Sequence, residues 1–220
     1  LEFRRVLFRS MGASPQIAIL DYGMGNLRSV EKALEKVGAD PQVTSDEEAI
    51  VAADGLILPG VGAFPKAMER IRELELDRML REAVDRDKPV LGICLGLQLL
   101  FESSVEQGGS EGIGLLEGDV VQVPAGGRKV PHIGWAEVTW EKPDELTNGL
   151  RPGEPFYFVH SFVVQPTETE LVGSATYGSS FACAAGKDKV WGVQFHPEKS
   201  SSAGLRMLTN FMEICQKEGS

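Results

Sequence analysis

Pro89-Val90-Leu91-Gly92-Ile93-Cys94-Leu95-Gly96-Leu97-Gln98-Leu99-Leu100-Phe101-Glu102 is the stretch whose reading decides the fold. A short apolar run, 89–91, enters a turn with glycine two residues to either side of a cysteine, and a helix-like segment, 97–102, leaves it. Strand, sharp turn and helix are the start of a βα unit, with Cys94 at the apex above the carboxyl edge of a sheet. Such a turn leaves no room for side chains at Gly92 and Gly96, and a nucleophile belongs at its tip. The helix start behind it offers unpaired N–H groups and a dipole, which lower a thiol pKa and stabilise an oxyanion. A buried structural cysteine beside two glycines reads the same way until a base is found.

The candidate base lies a hundred residues downstream. Trp191-Gly192-Val193-Gln194-Phe195 reads as a strand, and His196-Pro197-Glu198 ends it. Pro197 fixes φ and stops the strand, so His196 is expected at an edge rather than in the core. A cysteine nucleophile needs a base, and the base needs a third group to fix its tautomer. Glu198 is the candidate for that third group. A lone histidine at a strand end is also compatible with no chemistry at all. Both Cys94 and His196 follow predicted strands, however, and that is where an α/β sheet gathers its active site.

Outward from this unit, strands and helices alternate. Residues 17–20 are a continuous apolar run, as suits a strand buried on both faces. Asn26 reads as a helix N-cap, Leu27, Val30, Leu34 and Val37 follow at helical spacing, and Gly38 closes the helix. A strand over 41–44, a helix over 46–53, a strand over 55–58 and a helix in two pieces over 64–85 complete the pattern. Four such alternations predict an α/β fold with a mostly parallel sheet covered on both faces. After about residue 117 the pattern changes to strand-like pieces at 120–123, 136–140, 156–159, 171–175 and 181–185, which predict antiparallel additions to the sheet. A last helix is expected over 203–216. The change near 117 is one of pattern and not a linker, so one domain is expected over 11–220.

The sequence has 220 residues, 42% hydrophobic and 25% charged, which is the composition of an ordinary globular domain. Its net charge of −10 argues against non-specific nucleic-acid binding. No run approaches the ~18 apolar residues that would span a bilayer, so no membrane partner is expected. Three cysteines build no disulfide framework and suit a reducing cytoplasm. Three scattered histidines suggest no metal site, and no cofactor is expected. Residues 1–10, ahead of Met11, read as a vector-derived leader, with a short targeting segment as the alternative. Their three arginines and one glutamate contribute +2, leaving −12 for the rest.

The elbow 92–98 and the His196-Pro197-Glu198 triplet, in that order, resemble the class I (triad) glutamine amidotransferases over about residues 16–217. The resemblance implies a flavodoxin-like three-layer sandwich and a Cys94–His196–Glu198 triad that releases ammonia from glutamine through a thioester. Further motifs are similar to the branch of the family that serves imidazole glycerol phosphate synthesis in histidine biosynthesis. They are Asp21-Tyr22-Gly23-Met24-Gly25-Asn26, Pro59-Gly60-Val61-Gly62-Ala63-Phe64, Pro131-His132-Ile133-Gly134-Trp135 and Tyr157-Phe158-Val159-His160-Ser161-Phe162. That branch implies a heterodimer in which the partner is a (β/α)8-barrel cyclase. It also implies Leu95 with Val61 or Gly62 as oxyanion donors, Gln98, His160 and Ser161 as glutamine contacts, and Asn26, His132 and Trp135 as partner-facing residues. Glycines on both sides of Val61 permit a peptide flip, which would keep the unpartnered chain nearly silent. Sister glutaminases of other pathways share the elbow, and a redox-sensing protein of the same sandwich would need no Glu198.

Overall fold

Ile17 and Ile19 face one side of the sheet and Ala18 and Leu20 the other, and this parity builds two separate cores in the computed structural model, which describes residues 14–218. The first half of the chain runs β1 (Gln16–Leu20), α1 (Leu27–Val37), β2 (Asp40–Thr44), α2 (Glu47–Ala52), β3 (Gly55–Gly60), α3 (Phe64–Glu73), α4 (Leu76–Val84), β4 (Val90–Cys94) and α5 (Leu95–Leu99). The second half runs β5 (Ser103–Ser104), β6 (Ser110–Glu111), β7 (Gly118–Gln122), β8 (His132–Trp140), β9 (Glu154–His160), β10 (Phe162–Pro166), β11 (Leu171–Tyr177), β12 (Ser179–Lys187), β13 (Val190–Val193) and α6 (Ser201–Glu218).

On one face, Ile17, Ile19, Ile57, Leu91 and Ile93 pack under Val30 and Leu34 of α1 and Met207, Leu208 and Phe211 of α6. On the other, Ala18, Leu20, Leu56, Leu58 and Val90 pack under Ile50 of α2, Phe64, Met68 and Ile71 of α3, and Leu76 and Leu80 of α4. Helix, sheet and helix are thus three layers. Each of the larger apolar side chains, fully buried, contributes about 1.5–3 kcal/mol. A period of two in β1, β3 and β4 with both parities apolar is what a strand covered on both faces requires.

The sheet runs β2-β1-β3-β4-β13, all parallel, and continues antiparallel through β12 and β10 to β7. The first five strands have the flavodoxin-like order. A branch at β12 carries β11, β8 and β9 as an antiparallel run. β13 lies between β4 and β12, which places the end of the 191–193 run beside the end of β4.

Several boundaries differ from the expected ones. β8 begins at His132, four residues before the predicted start, and β10 is a separate strand that the pattern does not mark. β13 stops at Val193 and not at Phe195, because Gln194 and Phe195 bend away. α5 spans only Leu95–Leu99. The N–H groups of Ile113, Leu115 and Gly114 donate to the carbonyls of Leu99, Leu100 and Phe101, and that loop ends the helix. Asn26 occupies the N-cap position of α1, but its side chain makes no capping bond. Gly38 closes α1 in the left-handed region at φ 95°, as expected. The predicted leader, 1–10, lies outside the described residues. Among the described residues no helix is long and apolar enough to cross a membrane.

Candidate active site

The elbow is built by close approach. Cys94 sits at φ 56° and ψ −108°, a strained conformation for a residue with a side chain. A Cβ on Gly92 would lie 2.7 Å from the Gly96 carbonyl, and one on Gly96 would fall on the carbonyl of Leu58 in β3. Because α5 has only five residues, the turn offers individual backbone N–H donors more than a helix macrodipole.

The turn opens into a cavity of about 270 Å³ lined by Val61, Gly62, Cys94, Leu95, Gln98 and His196, with His160, Ser161 and Lys199 on its walls. Larger hollows lie beside Asn210 and along β10 and β12, but neither is lined by a cysteine or a histidine. None of the three cysteines is in a disulfide, and Cys183 and Cys215 are fully buried, whereas Cys94 lines the cavity. Chemistry and not size selects the site.

Sequence-distant residues meet here because β4 and β13 are neighbours in register, Ile93 opposite Val193. His196 Nδ1 lies 2.9 Å from Glu198 Oε1, which leaves Nε2 for Cys94. His196 is 4% exposed, so the expectation of an edge position is corrected. Proline does end the strand, but β13 is central and β9 closes over it: the His196 N–H donates to the Tyr157 carbonyl at 2.9 Å. Ser200 Oγ donates to the His196 carbonyl at 2.6 Å and accepts the Tyr157 N–H at 3.0 Å, clamping the segment. Burial lowers the His196 pKa, but hydrogen bonds and charge from Cys94 and Glu198 overcome it and raise it to about 9.

The substrate wall differs in detail from expectation. His160 Nδ1–H donates to the Phe162 carbonyl at 2.9 Å, so Nε2 accepts from His132 Nδ1 at 3.0 Å. With both ring nitrogens engaged, His160 has no polar side-chain atom left for glutamine, and that wall offers its backbone and Ser161 instead. Gln98 uses both amide N–H groups, to the Phe162 carbonyl at 3.1 Å and to Gln194 Oε1 at 3.0 Å, which leaves only its Oε1.

His132 is a correction. It is 3% exposed and stacked on Tyr177, with ring centroids 4.1 Å apart, so it presents nothing to a partner. His132 and Trp135 lie three residues apart on β8, and an odd separation on a strand points side chains to opposite faces. Ile133 and Trp135 occupy the outward face, 61% and 52% exposed, and Trp135 meets Tyr157 edge-on. Asn26 is exposed in the loop after β1.

Gln194 escaped the sequence reading. It is 0% exposed, its Nε2 lies 3.7 Å from Cys94 Sγ, and Cys94 Sγ lies 3.7 Å from the Val159 carbonyl. A polar residue inside the apolar run 191–195 was the available signal, since a buried amide must find partners.

The two histidines predict opposite pH effects on stability. Burial, against a partly offsetting bond to Phe162, pushes the His160 pKa down to about 4. Its folded form disfavours the proton, so stability is full above the unfolded value of ~6.5 and is lost as pH falls through 4, by about 3 kcal/mol. His196 is raised, so its contribution is full below ~6.5 and is lost as pH rises through 9. Denaturant titrations should show His160→Gln losing less stability between pH 7 and 4 than the unsubstituted protein. Equal acid sensitivity would refute the assignment.

A five-stranded parallel sheet with a cysteine elbow on one strand and a histidine–glutamate pair after its neighbour is the arrangement of a triad glutaminase. The class-I glutamine amidotransferase model matches residues 18–215, and the chain belongs to that family. It is 50% identical to the imidazole glycerol phosphate synthase subunit HisH of Moorella thermoacetica, over 92% of this chain and 97% of that protein. It is 48% identical to the same subunit of Aquifex aeolicus, over 90% and 97%. Solved structures share the fold at low identity. PurLQS from Thermotoga maritima superposes with a TM-score of 0.71 at 22% identity, over 91% of this chain and 98% of that one. The crystal structure of a glutamine amidotransferase gives 0.72 at 23%, over 90% and 98%.

Proposed function

We propose that this chain is the glutaminase subunit of an imidazole glycerol phosphate synthase, hydrolysing glutamine to glutamate and ammonia for a (β/α)8-barrel cyclase in the cytoplasm. The observation that carries the reading is Cys94 and His196 lining one cavity at the carboxyl edge of the sheet, with Glu198 bonded to His196 behind it.

His196 takes the Cys94 proton, and Glu198 holds the resulting imidazolium in place. The sulfur attacks the side-chain amide carbon of glutamine, and the carbonyl oxygen becomes an oxyanion. The N–H groups of Leu95 and of Val61 or Gly62 stabilise it. His196 returns its proton to the leaving nitrogen, ammonia departs and a γ-glutamyl thioester remains. Water, deprotonated by His196, attacks the thioester and releases glutamate and the thiol. Gln98 Oε1 accepts from the α-ammonium group of glutamine, and Ser161 with the backbone beside it meets the carboxylate.

The partner covers the Ile133–Trp135 face of β8 and Asn26. Tyr157, against which Trp135 packs, accepts the His196 N–H through its carbonyl, so this face is one residue away from the triad. Gly62 holds φ 110°, a left-handed conformation that lets the preceding peptides reorient with little strain. In the unpartnered chain the Gly60–Val61 peptide turns its carbonyl toward the oxyanion, and docking of the loaded cyclase favours the donor orientation.

One oxyanion donor is worth about 2.7–4 kcal/mol, so the cyclase with its nucleotide should raise glutamine hydrolysis by roughly 10²–10³-fold. Glutamate release measured with and without that partner checks this. Full activity in the chain alone would remove the partner-gated reading.

A further inference from the structure

We propose that Gln194 is a further catalytic residue, whose amide N–H is the fixed donor to the Cys94 sulfur, and that Gln98 is the residue that positions it. The inference rests on Cys94 being the nucleophile and extends that reading to what stabilises the thiolate.

The orientation of Gln194 is forced by acceptors that cannot be reversed. The Phe162 carbonyl can only accept, so the Gln98 nitrogen must face it, at 3.1 Å. The same nitrogen lies 3.0 Å from the Gln194 amide, and two nitrogens would repel, so Gln194 turns its oxygen toward Gln98. Its nitrogen is then left facing the sulfur, 3.7 Å away. Gln194 is 0% exposed and Gln98 5%, so no bulk water competes for these groups. The backbone holds Gln194 as well: its N–H donates to the Cys183 carbonyl at 2.8 Å, beyond the last residue of β13.

Besides His196, the sulfur therefore has two further partners of opposite preference. A thiol can donate its proton to the Val159 carbonyl, 3.7 Å away, and a thiolate cannot. A thiolate accepts from the Gln194 N–H in a charge-assisted bond, and a thiol accepts only weakly. Val159 favours the resting thiol and Gln194 the attacking thiolate. Gln194 adds no proton and takes none, so it stabilises the anion without competing with His196 for the role of base.

The other charged and titratable groups around Cys94 are His196 and Glu198 after β13, Tyr22 after β1, and Glu106, His160 and Lys199 on the cavity wall. Gln194→Leu changes none of them and keeps the side-chain volume. The test is the pH profile of iodoacetamide alkylation of the full-length chain without glutamine, which reads Cys94 because Cys183 and Cys215 are fully buried. Gln194→Leu should move the midpoint up by about one pH unit, a tenfold loss of reactive thiolate at neutral pH. Gln98→Leu should move it the same way, and the absence of glutamine separates this from any substrate contact. Gln98→Leu also reads the axis if Gln194→Leu does not fold. A reactive Cys94 in the unsubstituted protein with unchanged profiles in the variants would overturn the donor role and leave the nucleophile standing. Alkylation of the unsubstituted Cys94 no faster than a free thiol would overturn both.

Discussion

Cys94→Ala is expected to abolish glutamine hydrolysis, with a loss of at least about 10⁴-fold in kcat in the presence of the partner. Neither other cysteine can replace the sulfur, because Cys183 and Cys215 lie fully buried in the core and neither lines the cavity. The cavity, the β4–β13 pairing and the proposed oxyanion N–H groups do not depend on Sγ, so glutamine should still bind. The proposed triad is expected to act as a unit, so the double variant Cys94→Ala, His196→Ala should be no slower than either single one. There is also a signature in the histidine. Cys94 is one of the two partners that raise the His196 pKa to about 9, so the alanine variant should bring it down. Assays of glutamate release and an NMR titration of the His196 ring check the two parts. Retained turnover in Cys94→Ala would end the covalent mechanism.

Gly96→Ala is expected to be the most damaging glycine-to-alanine change among the described residues, costing about 4 kcal/mol or more. The added Cβ would fall on the Leu58 carbonyl of β3, a backbone atom that cannot rotate away. Relief requires lifting α5 off β3, and α5 follows directly from β4, which is held in register with β3 from Leu56–Val90 to Gly60–Cys94. The same movement would pull the 60–62 loop away from Cys94, so activity and stability should fall together. For a chain of this size the melting temperature should drop by about 10 °C. Gly38→Ala is the contrast: nothing lies within 4 Å of its Cβ position, and only its φ of 95° is unfavourable. It should cost no more than about 1–2 kcal/mol. Thermal melts of the two variants decide whether close approach or backbone conformation dominates. Equal melting temperatures would contradict the packing argument.

The elements read most faithfully are those whose causes are local. Asp46 caps α2 by accepting the Ala49 N–H at 3.0 Å, as an aspartate at that position is suited to do. The apolar runs of β1, β3 and β4 are strands covered on both faces, and the glycines around Cys94 mark a turn too tight for side chains. The elements misread have distant causes. Gly134 interrupts the pattern of β8 and delays its predicted start, whereas its register is fixed by β9 opposite, His132 against His160. A start at Ala136 hides the parity that turns His132 inward and Trp135 outward. β10 is separated from β9 by one residue and takes its partners from β7 and β12, which no local pattern reveals.

The order of residues alone determined the α/β class, the candidate nucleophile at the elbow, and the histidine and glutamate proposed to serve it. Each of those depends on a residue type at a short spacing. Tertiary structure decided what surrounds the sulfur: the neighbouring placement of β4 and β13, the carbonyl of Val159, and the amide of Gln194 aimed by Gln98. A backbone carbonyl has no letter in the sequence, and the direction of a buried amide is set by acceptors that only the folded chain brings within reach.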